Sequence, residues 1–207
     1  MSFGAIIASG TSNTLLSQAL SECLIEVRVE QSLDEPTRFG IRVREDISDG
    51  EPMAARAAEL KKDQIISIAV EKDDGLLCLV RGPITDSQAE FTLGGPGSWF
   101  EVHGTDRRGE LGRQCIQTAW EGRASDAART VLGAYGFTPD VQDTNHVYTA
   151  AKETLNQRAT DLDFLKTQAR ENGFFFWLTF DATLAGTALT VTETAHFRDR
   201  GDDVRCE

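Results

Sequence analysis

Apolar and polar positions alternate along two stretches near the start of the chain. In Leu24 to Glu30 (LIEVRVE), Ile25, Val27 and Val29 interleave with Glu26, Arg28 and Glu30, and in RFGIRVRE, Phe39, Ile41 and Val43 interleave with Arg38, Arg42 and Arg44. A period of two sends successive side chains to opposite faces, so each stretch predicts a half-buried strand. The turn signal Asp34-Glu35-Pro36 between them predicts a hairpin. Upstream, Ser12-Asn13 followed by Leu15, Leu16, Ala19 and Leu20 predicts a short helix. Downstream, MAARAAELKK after Asp49-Gly50-Glu51-Pro52 predicts a short crossover helix, since proline suits a first helical turn and alanine favours helix. Ile65 to Glu71 predicts a third strand, Lys72-Asp73-Asp74-Gly75 a hairpin turn, and Leu76 to Arg81 a fourth strand ending at Gly82-Pro83. Ala89 to Leu93 continues the sheet, Gly94-Gly95-Pro96-Gly97 turns, and Ser98 to Gly104 is the last strand. Short strands at regular spacing predict a small closed or nearly closed barrel, because closure removes exposed edges.

After Gly112 the period becomes mixed. Ile116 to Trp120 reads as a short strand, Ser125 as the cap of a helix through Ala127, Ala128, Val131, Leu132 and Tyr135, and Gly136 as its stop. A loop from Pro139 to Ala150 leads to the most legible segment, Arg158 to Phe180. There Thr160 is a natural N-cap, Asp161 and Asp163 sit on the positive end of the helix dipole, and Leu162, Leu165 and Ala169 form an apolar stripe with Phe164 beside it. Asn172-Gly173 stops the helix, and FFFWLTF follows as a strand buried on at least one face. Leu184 to Val191 returns as a strand, and the tail from Phe197 reads as polar and loosely held.

Several of these residues resemble a known signature. Gln157, Thr160, Asp161, Phe164-Leu165, Ala169, Gly173 and Phe174 resemble the "Q, S/T/E, D-x-x-F-L, A, x-x-G-[FY]" pattern of phage tail hub proteins. That group includes late-control protein D of contractile phages, related baseplate hubs and the hub part of VgrG spikes. Gly82-Pro83-Ile84, then Val102-His103-Gly104-Thr105-Asp106 with Arg107-Arg108 and Leu111, are similar to the two strand ends of the family's Tudor-like barrel. Trp120, Gly122, Ser125, Asp126, Ala128 and Tyr135-Gly136 are similar to the "W-x-G-x-x-S-D-x-A" opening and "Y-G" ending of its next segment. The expected fold is therefore α+β and mainly β: an N-terminal arm or helix over 1–23, a Tudor-like small β-barrel over 24–112, and an α/β hub domain with two helices over 113–207.

Composition narrows the function classes. A chain of 207 residues, 40% hydrophobic and 26% charged, is long enough to bury one large or two small cores. A run of about 18 apolar residues would mark a membrane span, and the sequence contains none; the N-terminus MSFGAIIASG lacks the basic region of a signal peptide. A net charge of −12 disfavours a nucleic-acid reader, which needs clustered cations. The acids serve solubility or line a channel that repels nucleic acid. Cys23, Cys78, Cys115 and Cys206 are scattered without a C-x-x-C pair and read as reduced thiols, although four cysteines leave disulfides open.

No constellation of residues reads as an active site. Gly94-Gly95-Pro96-Gly97-Ser98 lacks the Gly-Lys-Ser/Thr of a phosphate loop and the G-x-S-x-G of a nucleophile elbow. His103, His146 and His196 are isolated and read as surface or strand histidines rather than ligands or bases. Asp161 and Asp163 read as caps, Phe174 to Trp177 as core rather than a stacking platform, and Arg38, Arg42 and Arg44 as a solvated face that a neighbouring subunit could meet.

No catalytic, cofactor-binding or metal residue is assigned, and no cofactor is expected. The resemblance implies a structural, non-enzymatic hub of a contractile tail or related injection machine, linking tail tube to central spike. It implies a homotrimer or ring, partners among tail tube, spike and other baseplate proteins, and passage from the bacterial cytoplasm to the baseplate of the assembled particle, with neither specific nucleic-acid binding nor membrane insertion. Family hubs carry two barrels per subunit, and one is recognised here. Two competing readings are a tail-associated cell-wall hydrolase and a barrel-type module that binds a peptide or small ligand in a concave pocket.

Overall fold

The structure, a computed structural model, describes residues 4–33, 35–45, 52–72, 75–92, 97–199 and 201. Parts of four predicted turns (Asp34, Asp49 to Glu51, Asp73-Asp74 and Gly94 to Pro96), as well as Leu93, Cys206 and the end of the polar tail, lie outside the described residues. The chain divides into two compact units. The first comprises Met1–Ser32, Pro36–Arg107 and Phe180–Val191, and the second Leu33–Glu35, Arg108–Thr179 and Thr192–Glu207.

The first unit contains β1 (Ala5–Ser9), β2 (Thr14–Leu15), α1 (Gln18–Glu22), β3 (Leu24–Glu30), β4 (Arg38–Arg44), α2 (Met53–Arg56), β5 (Ile65–Lys72), β6 (Gly75–Glu90) and β7 (Trp99–Thr105). The two alternating stretches form the expected antiparallel hairpin, with Phe39, Ile41 and Val43 buried. Ile25, expected inward, is 50% exposed. A bulge between Leu24 and Glu26 shifts the register there, so Leu24 faces the core in its place.

Two helix expectations change in this unit, and one strand was not foreseen. The N-terminal helix begins at Gln18 rather than after Ser12, because Thr14 and Leu15 are drawn into a ladder with Ala8 and Ser9. Strand β1 gave no alternating signal because it is buried on both sides: Ile7 belongs to the main core and Ala8 to a second one. The MAARAAELKK helix breaks at Ala57, whose ψ of 128° is extended, and resumes as a 3₁₀ turn over Ala58–Leu60. The carboxylate of Glu45, itself buried, accepts from the backbone N–H groups of Ala54 and Ala55 and satisfies the start of α2.

Gly82-Pro83 does not end its strand. Strand β6 runs on and changes partner there, pairing with β5 up to Pro83 and with β7 from Ile84. A Cβ on Gly82 would lie 1.9 Å from the Thr105 carbonyl oxygen, so only glycine permits this close crossing. Strand order within this unit is β2-β1-β5-β6-β7-β4-β3.

Closure does not occur among the strands of 24–112, since β3 pairs with β4 alone among the described residues. The tip of a later hairpin instead completes a circuit of pairings. Its outgoing strand β13 (Phe175–Ala185) meets β6 at Asp181 and Ala182, and its returning strand β14 (Ala188–Arg198) meets β2 at Ala188. The circuit β6-β5-β1-β2-β14-β13 surrounds Ala8, Ala69, Cys78 and Leu189.

The second unit holds α3 (Arg108–Leu111), β8 (Cys115–Trp120), β9 (Gly122–Arg123), α4 (Ala124–Ala134), β10 (Thr138–Val141), β11 (Val147–Tyr148), β12 (Leu155–Thr160), α5 (Asp161–Glu171) and the base of the β13–β14 hairpin. Helix α5 starts and stops as predicted: Thr160 Oγ1 accepts from the Asp163 N–H, and Gly173 has φ +72°. Helix α4 begins before Ser125. Asp126 reaches back to the Arg123 N–H, while Ser125 lies fully buried inside the helix and exchanges hydrogen bonds with Thr144.

The predicted loop from Pro139 to Ala150 contains β10, parallel to β14, and β11, paired with β9. Leu184 lies on the outgoing arm, and the return strand starts at Ala188 after Gly186. Phe197 is not in a loose tail: it has no exposed surface and packs in a core with Leu111, Val131, Leu132, Leu165, Ala169 and Phe176.

Candidate functional site

The signature residues converge on a buried polar chain in the second unit. Strands β8 and β12 pair over their full length, with Leu155 opposite Trp120 and Gln157 opposite Thr118. This register lets the Trp120 indole donate to Gln157 Oε1 at 3.0 Å, while Gln157 Nε2 donates to Asp161 at 2.7 Å. Asp161 also accepts from the Tyr135 hydroxyl at 2.8 Å. Gln157 and Asp161 are 1% and 4% exposed, so Asp161 is more than the helix-end acid expected from its position: it ties α5 to β12 and α4. Burial together with hydrogen bonding to Asp161 pushes the Tyr135 hydroxyl up to about 12.

The other signature residues have comparable duties. Asp106, 1% exposed, accepts from the Thr37 N–H and donates its own N–H to the Thr37 carbonyl, fixing the entry to β4. A Cβ on Gly104 would fall 2.2 Å from the Phe39 ring. Of the aromatic run, Phe176 is buried and Phe174 meets Phe197 edge-on at 5.8 Å, as expected of core, but Phe175 is 41% exposed.

All three histidines have partners that sequence spacing could not show, His103 Nε2 lying 3.3 Å from the Gln88 amide. His196 Nδ1 lies 2.7 Å from Asp140 and its Nε2 lies 2.8 Å from the Thr179 hydroxyl, with its ring stacked on Trp177 at 4.7 Å. The order hydroxyl, imidazole, carboxylate is that of a nucleophile, base and acid. Asp140 is shared with Arg198 at 3.2 Å, which diverts its charge from the imidazole. Burial raises the Asp140 pKa, but the hydrogen bonds from His196 and Arg198 outweigh it and hold the carboxyl below its ordinary range. His146 lies 3.1 Å from Glu153 and meets Tyr148 edge-on.

Arg42 is not simply solvated. It donates twice to Glu101, at 2.9 and 2.7 Å, and lies over the Trp99 ring. Burial raises the Glu101 pKa, yet the bonds from Arg42 and Gln88 prevail and lower it. No group of three or more His, Cys, Asp or Glu residues among those described could hold a metal, and Cys23, Cys78 and Cys115 form no disulfide among the described residues. No described helix is long and apolar enough to cross a membrane.

Neither a protein-family model nor a curated protein matches the chain. Solved structures do share its fold. The 43 kDa tail protein of prophage MuSo2 from Shewanella oneidensis matches with a TM-score of 0.61 over 91% of this chain at 14% identity. The tail protein of Neisseria meningitidis MC58 matches with a TM-score of 0.56 over 91% at 13% identity. A chain of a lidless PdpA–VgrG complex matches with a TM-score of 0.52 over 96% at 10% identity. The chain spans 53%, 51% and 35% of those three chains, respectively. At such identities the likeness is one of fold.

Proposed function

We propose that this chain is a structural component of a contractile phage tail or related injection machine, acting as a hub between tail tube and central spike. The observation that carries the reading is the fold shared with two tail proteins, one of them from a prophage, across 91% of the chain. The three groups of signature residues, met in family order and each with a part in the packing, support the finer hub assignment. On this reading the curled sheet of the first unit is the Tudor-like barrel. The protein forms a homotrimer or ring in contact with tube, spike and baseplate partners, and it passes from the cytoplasm into the particle. Its mechanism is geometric, with many subunit contacts and no turnover. Mass measurement in solution combined with electron microscopy tests this: a ring, or co-assembly with tube or spike protein, is expected. A strict monomer that joins neither partner overturns it.

A second reading, a tail-associated hydrolase, has one observation in its favour, the Thr179–His196–Asp140 chain. Release of peptidoglycan fragments that disappears in His196→Ala would establish it; activity equal in both proteins, or none, removes it.

A further inference from the structure

The outward face of β3, β4 and β7 has one position without a side chain. Arg28, Gly40, His103 and Asp86 lie in one row across β3, β4, β7 and β6, so Gly40 leaves a gap between an arginine and a histidine. The gap is the floor of a depression of about 300 Å³, with Arg28, Glu30, Arg38, Glu101, His103 and Thr105 around it.

The fold does not require glycine there. At Gly82 and Gly104 an added Cβ would sit 1.9 and 2.2 Å from its nearest neighbour, whereas at Gly40 the nearest atom is His103 Nδ1 at 3.4 Å, an ordinary contact. Gly40 is not among the glycines with positive φ, so its backbone suits any residue. Glycine in a strand interior weakens the strand and marks a bulge, a bend or the close approach of a ligand or another backbone; the pairing shows no register shift at Gly40.

The chemistry of the walls indicates what approaches. Glu101 is occupied through Oε2 by Arg42 and Gln88, its Oε1 lies 3.6 Å from His103 Nε2, and Arg28 is held by Glu26 at 2.9 Å. Arg38 lines the depression, and its guanidinium makes no hydrogen bond or ion pair among the described residues. It stands opposite Glu30 in register, with no ion pair between them. An uncommitted guanidinium presents a planar fork of donors that matches a carboxylate, and His103, whose Nε2 lies 3.3 Å from the Gln88 amide, also lines the depression. Glu30 and Glu101, both in the lining, disfavour a more highly charged anion. We propose that the depression over Gly40 is a binding site for a carboxylate, held by Arg38 and bordered by His103. This inference is independent of the hub reading.

The chain has three histidines, so the imidazole resonances in the intact protein supply one reporter and two internal references. Sodium acetate should shift His103 saturably and leave His146 and His196 unmoved, with sodium chloride of equal ionic strength as control. Arg38→Gln should weaken binding by about tenfold, the scale of one charged hydrogen bond, and Glu30→Gln should tighten it. Gly40→Val should fill the gap and abolish binding while the melting temperature holds or rises, which separates lost binding from lost folding. N-acetyl-Gly-Glu-Gly-amide distinguishes the source. Tighter binding than acetate assigns the site to an acidic side chain of another protein, and equal or weaker binding assigns it to a free small carboxylate. The proposal fails if neither probe moves His103 saturably, if chloride does the same, or if Gly40→Val binds like the native chain.

Discussion

Glycine constrains the two units in different ways. In the first, Gly82 and Gly104 occupy places where a Cβ would strike Thr105 or Phe39, because one backbone crosses another. In the second, Gly136 and Gly173 have φ of +71° and +72° with nothing near their missing Cβ, and they end helices. Gly82 and Gly104 are fixed by the close approach of distant strands, Gly136 and Gly173 by local backbone conformation. Perturbing each should therefore expose a different kind of failure.

The largest effect is expected for Gly82→Ala. The added carbon cannot be placed without moving β6 off β7, and a loss of at least about 4 kcal/mol, or failure to fold, is expected in urea unfolding. A stability within 1 kcal/mol of native, itself about the size of an ordinary substitution, would remove the claim of close crossing. Next, Phe197→Ala empties the second core and should cost about 3–5 kcal/mol. Asp161→Ala strands the Gln157 amide and the Tyr135 hydroxyl, at about 1–3 kcal/mol for each buried donor left unpaired. Asp161→Asn should bring the Tyr135 pKa down from about 12, as read by tyrosinate absorbance. An unchanged titration would show that burial alone sets it.

Thr160→Ala removes a single cap and should cost about 1 kcal/mol, with amide exchange increasing in the first turn of α5. The smallest effect concerns Asp140. Its folded-state pKa is depressed, so its contribution is present above the unfolded carboxyl value of about 3.9. That contribution is lost as pH falls through the lower folded value. The stability difference between native and Asp140→Asn should therefore be full at neutral pH and vanish in acid, and a difference independent of pH would separate Asp140 from the His196 and Arg198 interactions.

Features depending on a few neighbouring residues were legible without the fold: the Thr160 cap, the Gly136 and Gly173 stops, the β3–β4 hairpin and the inward Phe39, Ile41 and Val43. Strand β1 was missed because it is buried on both sides and so does not alternate. Strand β12 was missed because LNQRAT has little apolar content and is held by its ladder to β8. Gln157 was noticed as part of a signature, but the acceptor it needed and the donor it received came from opposite directions in the chain. His196 and Asp140 are 56 positions apart, beyond any local period.

What the sequence alone determined is local: where helices start and stop, which strands alternate and which residues carry the family resemblance. Caps, turns and periodicity act over a few bonds, so their physics is written in adjacent letters. The tertiary structure decided the rest: that β6 passes through Gly82-Pro83 and changes partner, that Phe197 is core, that Asp161 serves three elements, and that Gly40 leaves a gap its own fold does not need. These depend on which distant backbones are brought within a few ångströms of each other, and long-range pairing leaves no period in the chain to read.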